Sequence, residues 1–142
     1  MELRGQVVSG GRLAAFFTQL DWVMEQCAEK LGFEPFPGTL NVEIVAEDLA
    51  VVDALKGEKG IELIPADENF CAAKVLPITI SGQMGAVIIP AKDVNIHEKK
   101  IVEIMAGKSL RNALDLEDGD LVTVVYDNRA FDQTVYFARG IN

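Results

Sequence analysis

Thr39 and Asn41 lie two residues apart, directly after the stiff stretch Pro35-Phe36-Pro37-Gly38. On an extended strand, residues two apart share a face. A hydroxyl and an amide oxygen would then aim together, with Leu40 turned the other way into a core. Hard, neutral oxygens suit Mg²⁺ that shares the phosphate oxygens of a nucleotide, because Mg²⁺ takes few protein ligands. The two prolines would fix the pair without mobile side chains. The same residues also fit a turn that feeds a strand with two exposed polar side chains.

Three further segments could carry chemistry. Backbone N–H groups of Gly10 and Gly11 can cradle phosphate, and Arg12 adds charge; an ordinary hairpin turn is the alternative. Lys108-Ser109-Leu110-Arg111 follows Gly107 and opens a short helix. Free N–H groups and two cations there would make a local anion site, or merely a capped helix with two solvated cations. Glu103 stands alone in the apolar run Ile101 to Ala106. It faces either water or a pocket, and in a pocket its pKa would rise and it could accept a hydroxyl proton.

Other residues offer less. His97 is the only histidine and lies in a polar stretch, so neither a catalytic triad nor a histidine metal site can be assembled. Cys27 and Cys71 are far apart, outside any metal-type spacing, and read as small core residues in a reducing compartment. Trp22 and Tyr126 read as packing residues. Glu117-Asp118-Gly119-Asp120 reads as a solvated turn without the ligand spacing of a calcium loop.

The 142 residues suit one domain, spanning 1–142, and 49% apolar content is enough to fill a core. The formal net charge of −9 argues against nonspecific nucleic-acid binding and against an anionic membrane surface. It leaves room for a small anionic ligand at a locally positive site. No signal peptide or membrane-length apolar run is present, so the expected location is cytoplasmic.

These segments must be positioned by many short elements. Strands are expected at Gly5–Ser9, Leu40–Val45, Ile61–Ile64, Phe70–Ile80, Met84–Ile89, Ile101–Ala106 and Leu121–Tyr126, with an edge strand at Thr134–Phe137. Leu13–Phe17 is apolar enough to be another. Ser81-Gly82-Gln83 is a hairpin signal. Leu20–Leu31 has helical spacing, with Thr18 as its N-cap and Gly32 as its stop. Shorter helices fit Asp48–Leu55 and Ser109–Leu114. Ala91–Lys100 reads as a polar covering loop. With no alternation of strand and helix, the fold class is mainly β (α+β): a small barrel with one main packed helix.

Taken together, the segments resemble the archaeal CTP-dependent riboflavin kinases and their bacterial relatives. The matching text is Gly32-Phe33-Glu34-Pro35-Phe36-Pro37-Gly38-Thr39-Leu40-Asn41, Val75-Leu76-Pro77-Ile78, Gly85-Ala86-Val87-Ile88-Ile89-Pro90, Glu103-Ile104-Met105-Ala106, Leu110-Arg111 and Leu116-Glu117-Asp118-Gly119-Asp120. The resemblance implies a six-stranded cradle-loop barrel that transfers the γ-phosphate of CTP to the 5′-hydroxyl of riboflavin. It implies Mg²⁺ on Thr39 and Asn41. Nucleotide contacts would come from Gly10, Gly11, Arg12, Lys108, Ser109, Leu110 and Arg111. It places Glu103 at the flavin, as the residue that orients or deprotonates the hydroxyl.

Two departures accompany the resemblance. Leu13 falls where the family's first loop has a glycine, and Asp93 and Asn95 stand where the family has a flavin-binding threonine. The alternatives are therefore a catalytically inactive flavin- or nucleotide-binding protein of the same fold, and a cradle-loop interaction module. The chain begins at the barrel, so no DNA-binding domain is expected. A monomer or small homo-oligomer is.

Overall fold

The computed structural model describes residues 1–10, 13–66, 72–90 and 100–126. In chain order these form β1 (Glu2–Val8), α1 (Leu13–Thr18), α2 (Asp21–Leu31), β2 (Leu40–Ile44), a 3₁₀ turn (Ala46–Asp48), α3 (Leu49–Lys56), β3 (Ile61–Leu63), β4 (Ala73–Ile80), β5 (Gln83–Pro90), β6 (Ile101–Met105), α4 (Leu110–Leu114) and β7 (Leu121–Val125). None of these helices is long and apolar enough to cross a membrane.

The strands run in the order β3-β4-β5-β6-β2-β1-β7, and β7 also pairs with β4. All pairs are antiparallel. The extra pairing, Thr79 with Val125 and Ile80 with Val124, closes six strands into a barrel and leaves β3 as an attachment. β4 supports both neighbours on one edge because its first three residues pair with β3 and its last two with β7. Closure removes most free strand edges.

Alternation explains the layers. In β1, Leu3 and Val7 point inward; in β2, Leu40, Val42 and Ile44 do; in β6, Val102 and Ile104 do. These meet Leu76, Ile78, Ile80, Val87, Val122 and Val124 in one buried cluster that fills the barrel. A second cluster lies on its outside, where Trp22, Val23, Cys27 and Leu31 of α2 cover Leu63, Val75, Ala86 and Met105. The β4–β5 hairpin turns through Ser81 (φ 47) and Gly82 (φ 82), the paired left-handed residues that a two-residue hairpin turn needs.

Two expectations are corrected. Leu13–Thr18 is helix, not strand. An unbroken apolar run does not distinguish the two, and two consecutive alanines favour helix. Thr18 is not the N-cap of α2. Leu20 holds that position without a side-chain cap bond, while Gly32 ends the helix in the left-handed region as expected, at φ 84. Besides the main helix α2, three shorter helices are present among the described residues. The expected strand at Thr134–Phe137 and the loop residues 91–99 lie outside the described residues.

Candidate functional site

Asn41 in β2 stands opposite Glu103 in β6, between the inward pairs Leu40–Ile104 and Val42–Val102. Both polar side chains are thereby placed on the outer face of the barrel. Thr39, one residue ahead of β2, joins them: its hydroxyl donates to Glu103 Oε1 at 3.3 Å. Asn41 is only 7% exposed. This differs from the reading of two solvent-facing polar residues on a plain strand. Gly10 lies directly against the Asn41 amide, and a Cβ there would be 2.6 Å from Asn41 Cγ.

The turn before Thr39 is held from three sides. Gly38 N–H donates to Thr18 Oγ1 at 3.0 Å, and Gln19 Nε2 donates to the Pro35 carbonyl at 3.0 Å. Phe36 N–H donates to the carbonyl of Ala106, just beyond β6, at 2.8 Å. Gly38 sits at φ 98, where a residue with a Cβ is strained. Gly107 brings the β6–α4 link against Phe33, with room for no more than a tight Cβ.

Between this turn and the start of α4 lies a cavity of about 220 Å³. Its walls include Pro37, Gly38 and Thr39 on one side and Lys108, Ser109 and Arg111 on the other. Leu110 also lines it, but its side chain is buried in the barrel cluster. Ser109 caps α4 by accepting from Asn112 N–H at 3.3 Å, so part of the plain capping alternative holds. Lys108 is exposed and Arg111 half-exposed. These two cations stand beside the cavity on a chain of net charge −9.

Arg111 Nη2 donates to Asp118 Oδ1 at 2.6 Å and to the Val8 carbonyl at 3.4 Å. The other carboxylate oxygen of Asp118 accepts from Ser9 Oγ at 2.5 Å. The Ser9 hydroxyl foremost, and then the Arg111 guanidinium, hold the Asp118 carboxyl below its ordinary range. Residues 117–120 form an exposed turn, as expected, and Asp118 in addition ties the end of β1 to α4. The adjacent Gly119 is left-handed (φ 93), and its N–H donates to the Val7 carbonyl at 2.7 Å. Thr18 and Gln19 were also missed as supports of the Pro35–Gly38 turn.

The structure thus brings together Gly10, Thr39, Asn41 and Glu103, with Lys108, Ser109, Leu110 and Arg111 across the cavity from Thr39. Gly11, Arg12, Asp93, Asn95 and His97 lie outside the described residues. Among the described residues, no group of three His, Cys, Asp or Glu side chains could hold a metal ion by itself. The donors present, a hydroxyl and an amide with a carboxylate beside them, fit a hard cation that takes its other ligands from a substrate.

Fold and site together define a small closed antiparallel barrel with a polar outer face beside a basic cavity. The family model for CTP-dependent riboflavin kinase, described as "Domain of unknown function DUF120", matches residues 7–125, and the chain belongs to that family. It is 36% identical over 127 residues to a riboflavin kinase of Methanobrevibacter smithii, covering 89% of this chain and 100% of that protein. It is 38% identical over 128 residues to a riboflavin kinase of Pyrobaculum aerophilum, covering 87% and 60%. With a riboflavin kinase of Thermococcus kodakarensis it shares 41% over 123 residues, covering 83% and 55%. The chain therefore spans all of the first relative and a little over half of the other two.

Proposed function

We propose that this chain is a riboflavin kinase that transfers the γ-phosphate of CTP to the 5′-hydroxyl of riboflavin, giving FMN and CDP. Family membership supports the activity. The observation that supports these residues as its site is the position of Thr39, which is bonded to Glu103 and also lines the cavity shared with Lys108 and Arg111.

In this reading Thr39 and Asn41 hold Mg²⁺ together with the nucleotide phosphates. The ion, when bound, neutralises charge that develops on the phosphoryl oxygens. Lys108 and Arg111 add positive charge on the nucleotide side, and Gly10, Gly11 and Arg12 complete the phosphate contacts. Ser109 and Leu110 contribute through the backbone at the start of α4. Asp93 and Asn95 contact the flavin.

Glu103 orients the attacking hydroxyl and accepts its proton. One bond forms, from the 5′-oxygen to the γ-phosphorus, and one breaks, from the γ-phosphorus to the oxygen it shares with the β-phosphate. Electrons in the broken bond leave with CDP. Little else is required, since such transfers rest mainly on positioning and electrostatics.

The test is incubation with riboflavin, Mg²⁺ and CTP, followed by chromatography for FMN. FMN is expected. Binding of flavin or nucleotide without FMN would replace this reading with that of an inactive binding protein.

A further inference from the structure

Two polar side chains are buried among the described residues, Thr18 and Asn41. Asn41 belongs to the site. Thr18 does not reach it, yet it is fully buried (0% exposed). We infer that Thr18, with Gln19 beside it, is a positioning residue that sets the Thr39 hydroxyl through Gly38. The inference rests on the reading above only in taking Thr39 as a ligand of the Mg²⁺–nucleotide.

Thr18 uses both hydrogen-bonding capacities of its hydroxyl. It donates to the Ala15 carbonyl at 3.1 Å and accepts from Gly38 N–H at 3.0 Å. A β-branched side chain has few χ1 choices, and two bonds fix the one it takes. Its partner Gly38 is the residue in the turn with least steric restraint, and it directly precedes Thr39. Gln19 holds the other end of the turn at the Pro35 carbonyl. Consecutive side chains at the α1–α2 junction therefore clamp both ends of Pro35–Gly38. Without the hydroxyl, Gly38 loses the acceptor that sets its orientation, and a half-buried N–H loses its partner.

The test compares T18V, T18S and Q19A with the wild type. T18V keeps the shape and removes both bonds, whereas T18S keeps the hydroxyl. Amide hydrogen exchange at Gly38 and Thr39, followed by NMR on the ligand-free chain, reads the clamp directly. Binding of Mn²⁺ with CTP, followed by paramagnetic relaxation, reads its consequence. T18V should speed Gly38 exchange and weaken Mn²⁺–CTP binding about tenfold, the order expected for a mispositioned ligand. T18S should match the wild type within about twofold, and riboflavin affinity should be unchanged in both.

Wild-type exchange and Mn²⁺–CTP affinity in T18V would overturn the inference, as would equal damage in T18S. Should T18V fail to fold, Q19A decides: faster exchange at Gly38 with weaker Mn²⁺–CTP binding supports the clamp, and wild-type values overturn it. A wild-type chain that binds no Mn²⁺–CTP would sink the kinase reading instead, while the exchange measurement still judges the clamp.

Discussion

Gly10 packs against Asn41 so closely that a Cβ at position 10 would overlap the side-chain amide nitrogen and lie 3.1 Å from Oδ1. The glycine two residues beyond β1 thus has a second reason to be there, apart from any contact with phosphate. It leaves the space in which the Asn41 side chain sits, facing Glu103 across the β2–β6 pair.

Gly10→Ala should therefore displace Asn41. Overpacking of this kind lowers stability by about 1–3 kcal/mol, and a ligand misplaced by roughly 1 Å lowers turnover on the order of 100-fold. Denaturant melting and rates of FMN formation check both. Unchanged turnover would separate Asn41 from the chemistry.

Thr39→Ala combined with Asn41→Ala should abolish Mg²⁺-dependent turnover while the barrel stays folded, because neither side chain points into the apolar cluster. Circular dichroism and a Mg²⁺ titration of the rate are sufficient. Full activity in the double variant would remove both residues from the metal role.

Asp118→Asn removes the charge that pairs with Arg111 while leaving a group that can bond Ser9. The apparent KM for CTP should rise several-fold, with the riboflavin KM unchanged. There is also a pH signature. The Asp118 carboxyl is held below its ordinary value of 3.8. A depressed folded value contributes stability above the unfolded value and loses it as pH falls through the folded one. The stability difference between wild type and Asp118→Asn should be constant near neutrality and shrink below about pH 4. It should be small, since the pair is largely exposed and screened. Asp48, lowered chiefly by its bond from the Arg4 side chain, should behave alike in Asp48→Asn. Urea melts between pH 7 and 3 test both.

Cys27 is buried on the barrel-facing side of α2, and burial pushes its thiol up to about 12. The thiolate is the reactive form, so Cys27 should resist a disulfide reagent at pH 8 until the chain unfolds. A Cys71→Ser background isolates this thiol. Rapid labelling under native conditions would show that the α2 interface opens.

Much of this was legible beforehand, for identifiable reasons. The two-residue spacing of Thr39 and Asn41 after rigid prolines specifies a shared side, and both residues do meet Glu103, although Thr39 lies one residue ahead of β2. The hairpin at Ser81-Gly82 and the left-handed stop at Gly32 follow from local chemistry that a sequence shows directly. What was not legible depends on distant partners. Thr18 looked like a cap because local sequence cannot reveal that its hydroxyl meets Gly38, twenty residues on. The bonds of Asp118 are not visible locally because its partner Ser9 lies 109 positions away in the chain. Barrel closure rests on Thr79 and Ile80 meeting Val125 and Val124, a pairing that no local pattern encodes. The apolar run Leu13–Phe17 carries no period that separates helix from strand.

The most direct test of the central claim follows the phosphate itself. The chain is incubated with riboflavin, Mg²⁺ and CTP labelled at the γ-phosphate, beside a parallel reaction with γ-labelled ATP. The account predicts label in FMN from CTP, little or none from ATP, and unlabelled CDP as the other product. Absence of labelled FMN from either nucleotide, with the chain folded, would contradict it.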